Sequence, residues 1–311
     1  MRIIYPYLHI VSDEPLSHLK HLYKYKNTKQ FRDDITQLCR KYVPVRLNDI
    51  IDKKNSEQVK KTAFLLTIDD GFREVYEIIA PILIKEGVSA TFFIASNFID
   101  NKELYFGHKK SLLLEHCISN VSMQSKIALT LIKYKLYNGN VIESLKRINY
   151  NTKDVLDIIA HDIHYDFESY LSEKKPYLTT EQIHWLIDKG FSVGAHSINH
   201  PRYSIISKEE QVRQTVESVR KIRNKFNLQY GAFAFPHSDS GVSKNVFKKI
   251  FESGIVDITF GTAGMIADSE CRNVQRFSIE KPLWPIKIIL FKEHVRRYYR
   301  KVNGLTKISR M

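Results

Sequence analysis

Cysteine, proline and glycine are scarce in this sequence, and long apolar runs are missing. Cys39, Cys117 and Cys271 form no C-x-x-C pair, so neither a disulfide framework nor a thiolate zinc site is expected, and the three thiols read as reduced and mostly buried. Twelve Gly and nine Pro in 311 residues exclude collagen-like and linker-like chains. No apolar run approaches the roughly 20 residues that span a bilayer. The N-terminus lacks the basic, apolar and small-residue succession of a secretory signal, and Met1 to Pro6 reads as a short strand. The expectation is a soluble cytoplasmic protein, at most peripheral to the inner face of the membrane.

Aromatic and apolar residues are plentiful. Seventeen Tyr, 17 Phe and an apolar fraction of 43% supply more core than a disordered chain carries. Lys and Arg exceed Asp and Glu by 48 to 34, a net charge of +14. The basic residues are spread along the whole chain without a zinc-finger or RNP-type motif, so no nucleic-acid partner is expected. Such a field equally attracts anionic lipid head groups or acidic glycans.

Runs rich in β-branched and aromatic residues fall at Ala63 to Ile68, Val88 to Ile94, Phe191 to Ala195, Tyr230 to Phe235, Val256 to Phe260 and Val274 to Ile279. They predict buried strands. Helical patterns lie between several of them: Phe72 to Glu86 before Gly87, Glu181 to Lys189 behind a Thr179/Gln182 capping box, and Lys208 to Phe226 behind Ser207/Glu210. Alternating strands and helices predict an α/β protein with a largely parallel sheet or barrel, active residues sitting at the C-terminal strand ends. From about 104 to 173 helical periodicity continues, as in Ser125 to Tyr137 and Asp154 to His161, without a convincing strand, which predicts a helical insertion.

Two motifs carry chemistry. Thr67-Ile68-Asp69-Asp70-Gly71 ends a buried strand in adjacent carboxylates, which repel each other and ask for a cation. An isolated D-D-G is more often a capped turn. The strand Phe191 to Ala195, however, runs into His196-Ser197-Ile198-Asn199-His200, where a turn of helix would bring both imidazoles to one side. Two imidazoles and one carboxylate make the open three-ligand set used for hydrolytic Zn²⁺ and related divalent ions, and Co²⁺, Ni²⁺ and Mn²⁺ accept it too. A second cluster, His161 to Asp166, lies at a helix end and reads as solvated. The mixed aromatic and basic run from Lys20 to Lys26 reads as a solvated loop.

Thr67 to Gly71 and His196 to His200 resemble the first two motifs, T-F-D-D-G and H-[ST]-x-x-H, of polysaccharide deacetylases with a NodB-type domain, carbohydrate esterase family 4. The resemblance extends over Lys61 to Asn97, Leu178 to Ser207 and Phe233-Ala234-Phe235-Pro236-His237, the last being similar to a third motif that shapes one wall of the groove. It implies a distorted (β/α) barrel over residues 1–280, interrupted by the insertion, with a C-terminal helix and tail at 281–311. It implies that Asp70, His196 and His200 hold a divalent metal, Zn²⁺ first, that Asp69 is the general base, and that Phe235, Pro236 and His237 contact substrate. The substrate implied is an acetylated carbohydrate such as a cell-surface polysaccharide, with a lipid-linked glycan precursor as the natural substrate if the C-terminal helix touches a membrane. Backbone N–H groups near Phe235 to His237 would hold the tetrahedral oxyanion.

Two departures stand out. The third motif has Ala234 where many members carry Arg, so nothing in the motifs orients Asp69. Arg276-Phe277-Ser278 stands where many members keep Leu-x-His with the general acid. Tyr7-Leu8-His9-Ile10 resembles the Y-H-x-[VI] segment that supplies an imidazole instead, which makes His9 the first candidate acid and His237 the second. These departures motivate a competing reading, a non-catalytic glycan-binding or scaffolding protein on the same fold.

Beyond Pro285, Ile288, Phe291, Val295, Tyr298 and Val302 recur at spacings of three and four, among Lys287, Lys292, Arg296, Arg297, Arg300 and Lys301. This predicts a basic amphipathic helix whose apolar stripe either packs on the barrel or touches an anionic membrane.

Overall fold

The structure, a computed structural model, describes residues 3–52 and 62–310. Met1, Arg2 and Lys61, which fall within predicted segments, lie outside the described residues. The chain divides into two compact units: residues 1–13, 25–100 and 177–311 form the first, and residues 14–24 and 101–176 the second.

The first unit is built on eight parallel strands: β1 (Pro6–Leu8), β2 (Leu66–Ile68), β3 (Ala90–Ile94), β4 (Ser192–Ala195), β5 (Ala232–Ala234), β6 (Ile258–Gly261), β7 (Asn273–Gln275) and β8 (Phe277–Ser278). Their spatial order is β8-β1-β2-β3-β4-β5-β6-β7. Registers such as Tyr7 opposite Thr67, Thr67 opposite Thr91 and Ala195 opposite Phe233 bring the C-terminal strand ends to one rim. Only Arg276 separates β7 from β8. β7 pairs with β6 on one edge of the sheet and β8 pairs with β1 on the other, so one short segment draws the edges together into a nearly closed barrel. Strands covered on both faces must be apolar throughout, which is why they read as continuous hydrophobic runs rather than as alternating ones. One cluster, including Tyr5, Phe93, Ala232 and Phe260, packs around Leu65 and Ala234, while a larger one joins the strands to the surrounding helices.

Helix Lys208–Phe226 and the capped helix Thr180–Asp188 match their expected positions closely. The single helix expected over Phe72 to Glu86 is instead a wide π-turn, Val75–Ile79, followed by an α-helix, Ala80–Lys85. Pro81 explains the difference. It has no N–H to give the Glu77 carbonyl and its ring would crowd that group, so the chain widens upstream and the Ala80 N–H reaches back to the Val75 carbonyl.

The second unit contains helices Phe106–Ser119, Gln124–Lys133, Val141–Arg147, Val155–Asp162 and Phe167–Lys174, with no strand among its described residues. Leu113, Leu131, Leu145, Leu156 and Ile159 are fully buried in it. It also takes in residues 14–24, and with them Lys20 to Lys24 of the run that reads as a solvated loop. Lys20 and His21 both bind the Glu115 carboxylate, at 2.7 and 2.9 Å. Lys26, in the first unit, is likewise buried rather than solvated, paired with Asp34.

The C-terminal helix spans Ile286–Val302 and packs through Ile286, Ile289, Leu290 and Glu293. The predicted apolar stripe faces away: Ile288, Phe291, Val295, Tyr298 and Val302 are all exposed. After the helix, Lys307–Ile308 pairs in parallel with Ala267–Asp268, and Arg310 inserts between Asp239 and Asp268. Among the described residues no helix is long and apolar enough to cross a membrane. The thiols depart from expectation: Cys117 is buried, but Cys39 is half-buried and Cys271 exposed.

Candidate active site

Strand β2 delivers two neighbouring carboxylates to different tasks. The Asp69 N–H still donates to the Leu8 carbonyl at 3.0 Å, continuing the sheet. The next two residues both leave it with left-handed backbone, Asp70 at φ 75° and Gly71 at φ 74°. A side chain at position 71 would place its Cβ 2.8 Å from Ile94 Cγ2, so only glycine fits there. The sharp turn separates the carboxylates, sending Asp69 inward and Asp70 toward the end of β4.

At that end, the His196 N–H donates to the Ile94 carbonyl at 2.9 Å and its Nδ1 lies 2.8 Å from the Ala234 carbonyl oxygen. The expected helical turn over His196 to His200 is absent. Ser197 and His200 adopt positive φ, 69° and 60°, and side chains hold the loop instead. Ser197 Oγ accepts the His200 N–H at 2.9 Å, and Gln214 Oε1 accepts the Ile198 N–H at 2.9 Å. The imidazoles nevertheless converge. His196 Nε2 lies 3.3 Å and His200 Nε2 3.0 Å from Asp70 Oδ1.

Asp70, His196 and His200 are the single group of three such ligands found among the described residues, one ligand atom of each lying within 4.8 Å of the others. Their chemistry fits a cation. With Nδ1–H donated to Ala234, His196 presents the lone pair of Nε2 to Asp70 Oδ1, so two buried acceptors face each other and neither has a hydrogen-bond partner. Burial pushes the His200 imidazole below its usual pKa, and burial of Asp70 is outweighed by His200 and His9, which hold its carboxyl well below the usual range. A neutral imidazole and an ionised carboxylate are the ligand forms that a divalent ion requires.

Asp69 is oriented after all, by a residue the sequence reading passed over. Arg276, fully buried at the closure between β7 and β8, binds it bidentately: Nη1 to Oδ1 at 2.7 Å and Nη2 to Oδ2 at 2.8 Å. The same guanidinium donates to Thr67 Oγ1 at 2.9 Å and the Gly261 carbonyl at 3.2 Å, and stacks over Tyr7 at 4.6 Å. Burial alone would raise the Asp69 pKa, but Arg276 outweighs it and lowers the value. The signal was present. An Arg inside a run read as a buried strand, with no acid in the run, must find its carboxylate elsewhere in the fold.

His9 follows β1 at the same rim. Its Nδ1 lies 2.6 Å from Glu280 Oε2, and Glu280 Oε1 accepts the N–H groups of His9 and Ile10 at 3.0 and 3.3 Å. Burial disfavours its charged form, but Glu280, with Asp70 and Asp69 behind it, raises the pKa to about 10. The Glu280 carboxylate thus favours the protonated imidazole.

The third motif is placed less as expected. The Phe235 ring is fully buried among Tyr203, Phe233 and Phe247, so it shapes the wall from behind and does not reach a groove. Its N–H donates to the Phe260 carbonyl at 3.0 Å and buried Pro236 has none, which removes both as oxyanion donors. His237 keeps solvent-accessible surface, but its ring is packed against that of His200 at 4.7 Å. Desolvation, then His200 and Arg202, push its pKa down, so it is neutral at pH 7 and unsuited to donate a proton. The sequence matches the polysaccharide deacetylase family over residues 56–255. No curated protein matches the chain significantly. Among solved structures, the Streptococcus pyogenes deacetylase PplD in complex with acetate is similar at TM-score 0.60 and 15% identity, covering 93% of this chain and 96% of that one. IcaB from Ammonifex degensii gives 0.57 and 14%, covering 92% and 95%. The polysaccharide deacetylase BC0361 from Bacillus cereus gives 0.56 and 12%, covering 94% and 68%.

Proposed function

The chain belongs to the polysaccharide deacetylase family, and from that premise we propose that it hydrolyses N-acetyl groups on a carbohydrate in a reaction dependent on a divalent metal. The observation that carries this reading is the pairing of a buried, Arg-oriented carboxylate with a convergent Asp-His-His set built from the ends of β2 and β4. Asp70, His196 and His200 would hold the ion, Zn²⁺ being the best match to two imidazoles and a carboxylate. Bound there, it would polarise the acetyl carbonyl and acidify the attacking water.

The chain's own groups divide the proton transfers. Asp69, fixed by two parallel hydrogen bonds from Arg276, keeps lone pairs free to take the proton of the attacking water. His9, protonated and steered by Glu280, donates to the departing amine. Their surroundings push the two pKa values apart, His9 up and Asp69 down, which supports this division between acid and base. The competing non-catalytic reading rested on an unoriented Asp69 and a missing acid. Arg276 answers the first motive by orienting Asp69, and His9 is the group we assign to the second.

The test is elemental analysis after dialysis against metal-free buffer, beside acetate release from N-acetylated oligosaccharides. We expect about one divalent ion in the wild type and none in His196→Ala. Asp69→Asn should keep the ion and lose about 10²- to 10⁴-fold in acetate release. Wild-type protein that binds no metal after reloading would sink the proposal.

We propose in addition that the exposed face of the C-terminal helix touches an anionic bilayer. Exposed Phe291, Val295, Tyr298 and Val302, beside Lys287, Arg297 and Lys301, support it.

A further inference from the structure

A cavity of about 200 Å³ opens between Tyr7 and the C-terminal helix. Tyr7 forms one wall, and it ties the cavity to the active site. Its ring lies beneath the Arg276 guanidinium and edge-on to His9 at 5.7 Å. The opposite walls come from Ser278 in β8 and Lys281 beyond it, from Trp284, and from Lys292 and Arg296 on the C-terminal helix.

The charges of this lining do not balance. Lys281 Nζ sits 4.4 Å and Lys292 Nζ 3.2 Å from the centroid of the same Trp284 ring, with Arg296 alongside. The one acid, Glu293, is already engaged: it accepts from Arg296 of the same lining at 2.9 Å and from the Met265 N–H at 3.2 Å. Neither Lys281 nor Lys292 has an ion-pair partner among the described residues. Two ammonium groups gathered over one indole repel each other, and the π face offsets only part of that repulsion. The wall that gathers them is fixed. Buried Lys26 donates to the Trp284 carbonyl at 3.1 Å and Asp34 accepts the Ile286 N–H at 2.8 Å.

We propose that this cavity binds a phosphate ester carried by the glycan next to the sugar being deacetylated. The donors favour phosphate over carboxylate. Lysine ammonium groups act as separate point charges suited to several phosphate oxygens, whereas bidentate carboxylate recognition wants a free Arg fork, and the Arg296 fork is partly held by Glu293. The volume suits one phosphorylated unit rather than a longer chain. This inference deepens the deacetylase reading and rests on it for the substrate's identity, but the anion site itself can be tested separately.

The chain has two tryptophans, so Trp185→Phe leaves Trp284 as the only indole reporter. N-acetylglucosamine 1-phosphate should change Trp284 emission saturably, and N-acetylglucosamine should not. Lys281→Gln and Lys292→Gln should each weaken that response at least tenfold, with Lys281→Arg restoring it. His196→Ala should keep it, because the response needs no metal and no turnover. A saturable response without acetate release from any substrate would sink the deacetylase reading and leave the anion site standing. Equal responses to the phosphorylated and neutral sugars, or no response to either, would overturn the inference. A response to phosphatidylglycerol vesicles alone would overturn it too, by making the occupant a lipid head group.

Discussion

Arg276 and Asp69 illustrate how much can depend on one buried pair. Each is fully enclosed, so removing one partner leaves the other charged, desolvated and unmatched. Arg276→Met should therefore destabilise the protein by about 3–5 kcal/mol, measurable by denaturant titration. Arg276→Met combined with Asp69→Asn should recover much of that loss while remaining inactive. A double variant no more stable than the single would show that packing around Arg276, rather than charge, dominates. Glu280 acts differently, through the pKa of His9. Because Glu280 stabilises the imidazolium, Glu280→Gln should lower the His9 pKa and move the alkaline limb of the kcat/KM profile to lower pH, leaving the acid limb in place. An unmoved alkaline limb would remove His9 from the role of acid. The convergence of Asp70, His196 and His200 beside Asp69 was legible because all four sit in contiguous motifs at strand ends. Arg276 and Glu280 were not, since their partners lie 207 and 271 positions away and only barrel closure brings them together.

At the scale of elements, apolar runs and capping residues located most strands and helices to within a few positions, because buried parallel strands and amphipathic helices leave opposite sequence periods. Local exceptions have local causes, such as Pro81 widening its helix and side-chain hydrogen bonds shaping the His196 to His200 loop. The C-terminal strand had no such signature. Lys307–Ile308 is two residues long, and what anchors it is Arg310, nearly buried against Asp239 and Asp268. Burial alone would raise the Asp268 pKa, but Arg310 and neighbouring amide groups reverse that and lower it. A carboxyl depressed in the folded state contributes stability that is complete above its unfolded pKa, near 4, and is lost as pH falls through the lower folded value. Arg310→Met should thus be less stable by about 3 kcal/mol or more at pH 7, and the gap to wild type should narrow below about pH 4. Thermal melts at pH 7 and pH 3.5 check this. A gap independent of pH would mean that Arg310 contributes packing rather than charge.

For the molecule as a whole, net charge and one exposed face bear on where it works. The +14 charge was plain from composition, but the orientation of the C-terminal stripe could not be read from periodicity, which identifies an apolar face without saying what covers it. Here Ile286, Ile289 and Leu290 meet the barrel unit, while Phe291, Tyr298 and Val302, each about two-thirds exposed, point outward beside Lys287, Arg297 and Lys301. Each basic group near an anionic surface contributes about 1 kcal/mol, and the aromatic side chains add burial at the headgroup boundary. The protein should co-sediment with phosphatidylglycerol vesicles and not with phosphatidylcholine vesicles. Binding should weaken in about 0.5 M salt, as screening shortens the electrostatic range. Phe291→Ser with Tyr298→Ser should reduce binding severalfold without lowering the melting temperature, since both side chains are exposed. Equal sedimentation with neutral and anionic vesicles, or with neither, would remove the membrane from this account and leave the stripe as a surface for another protein.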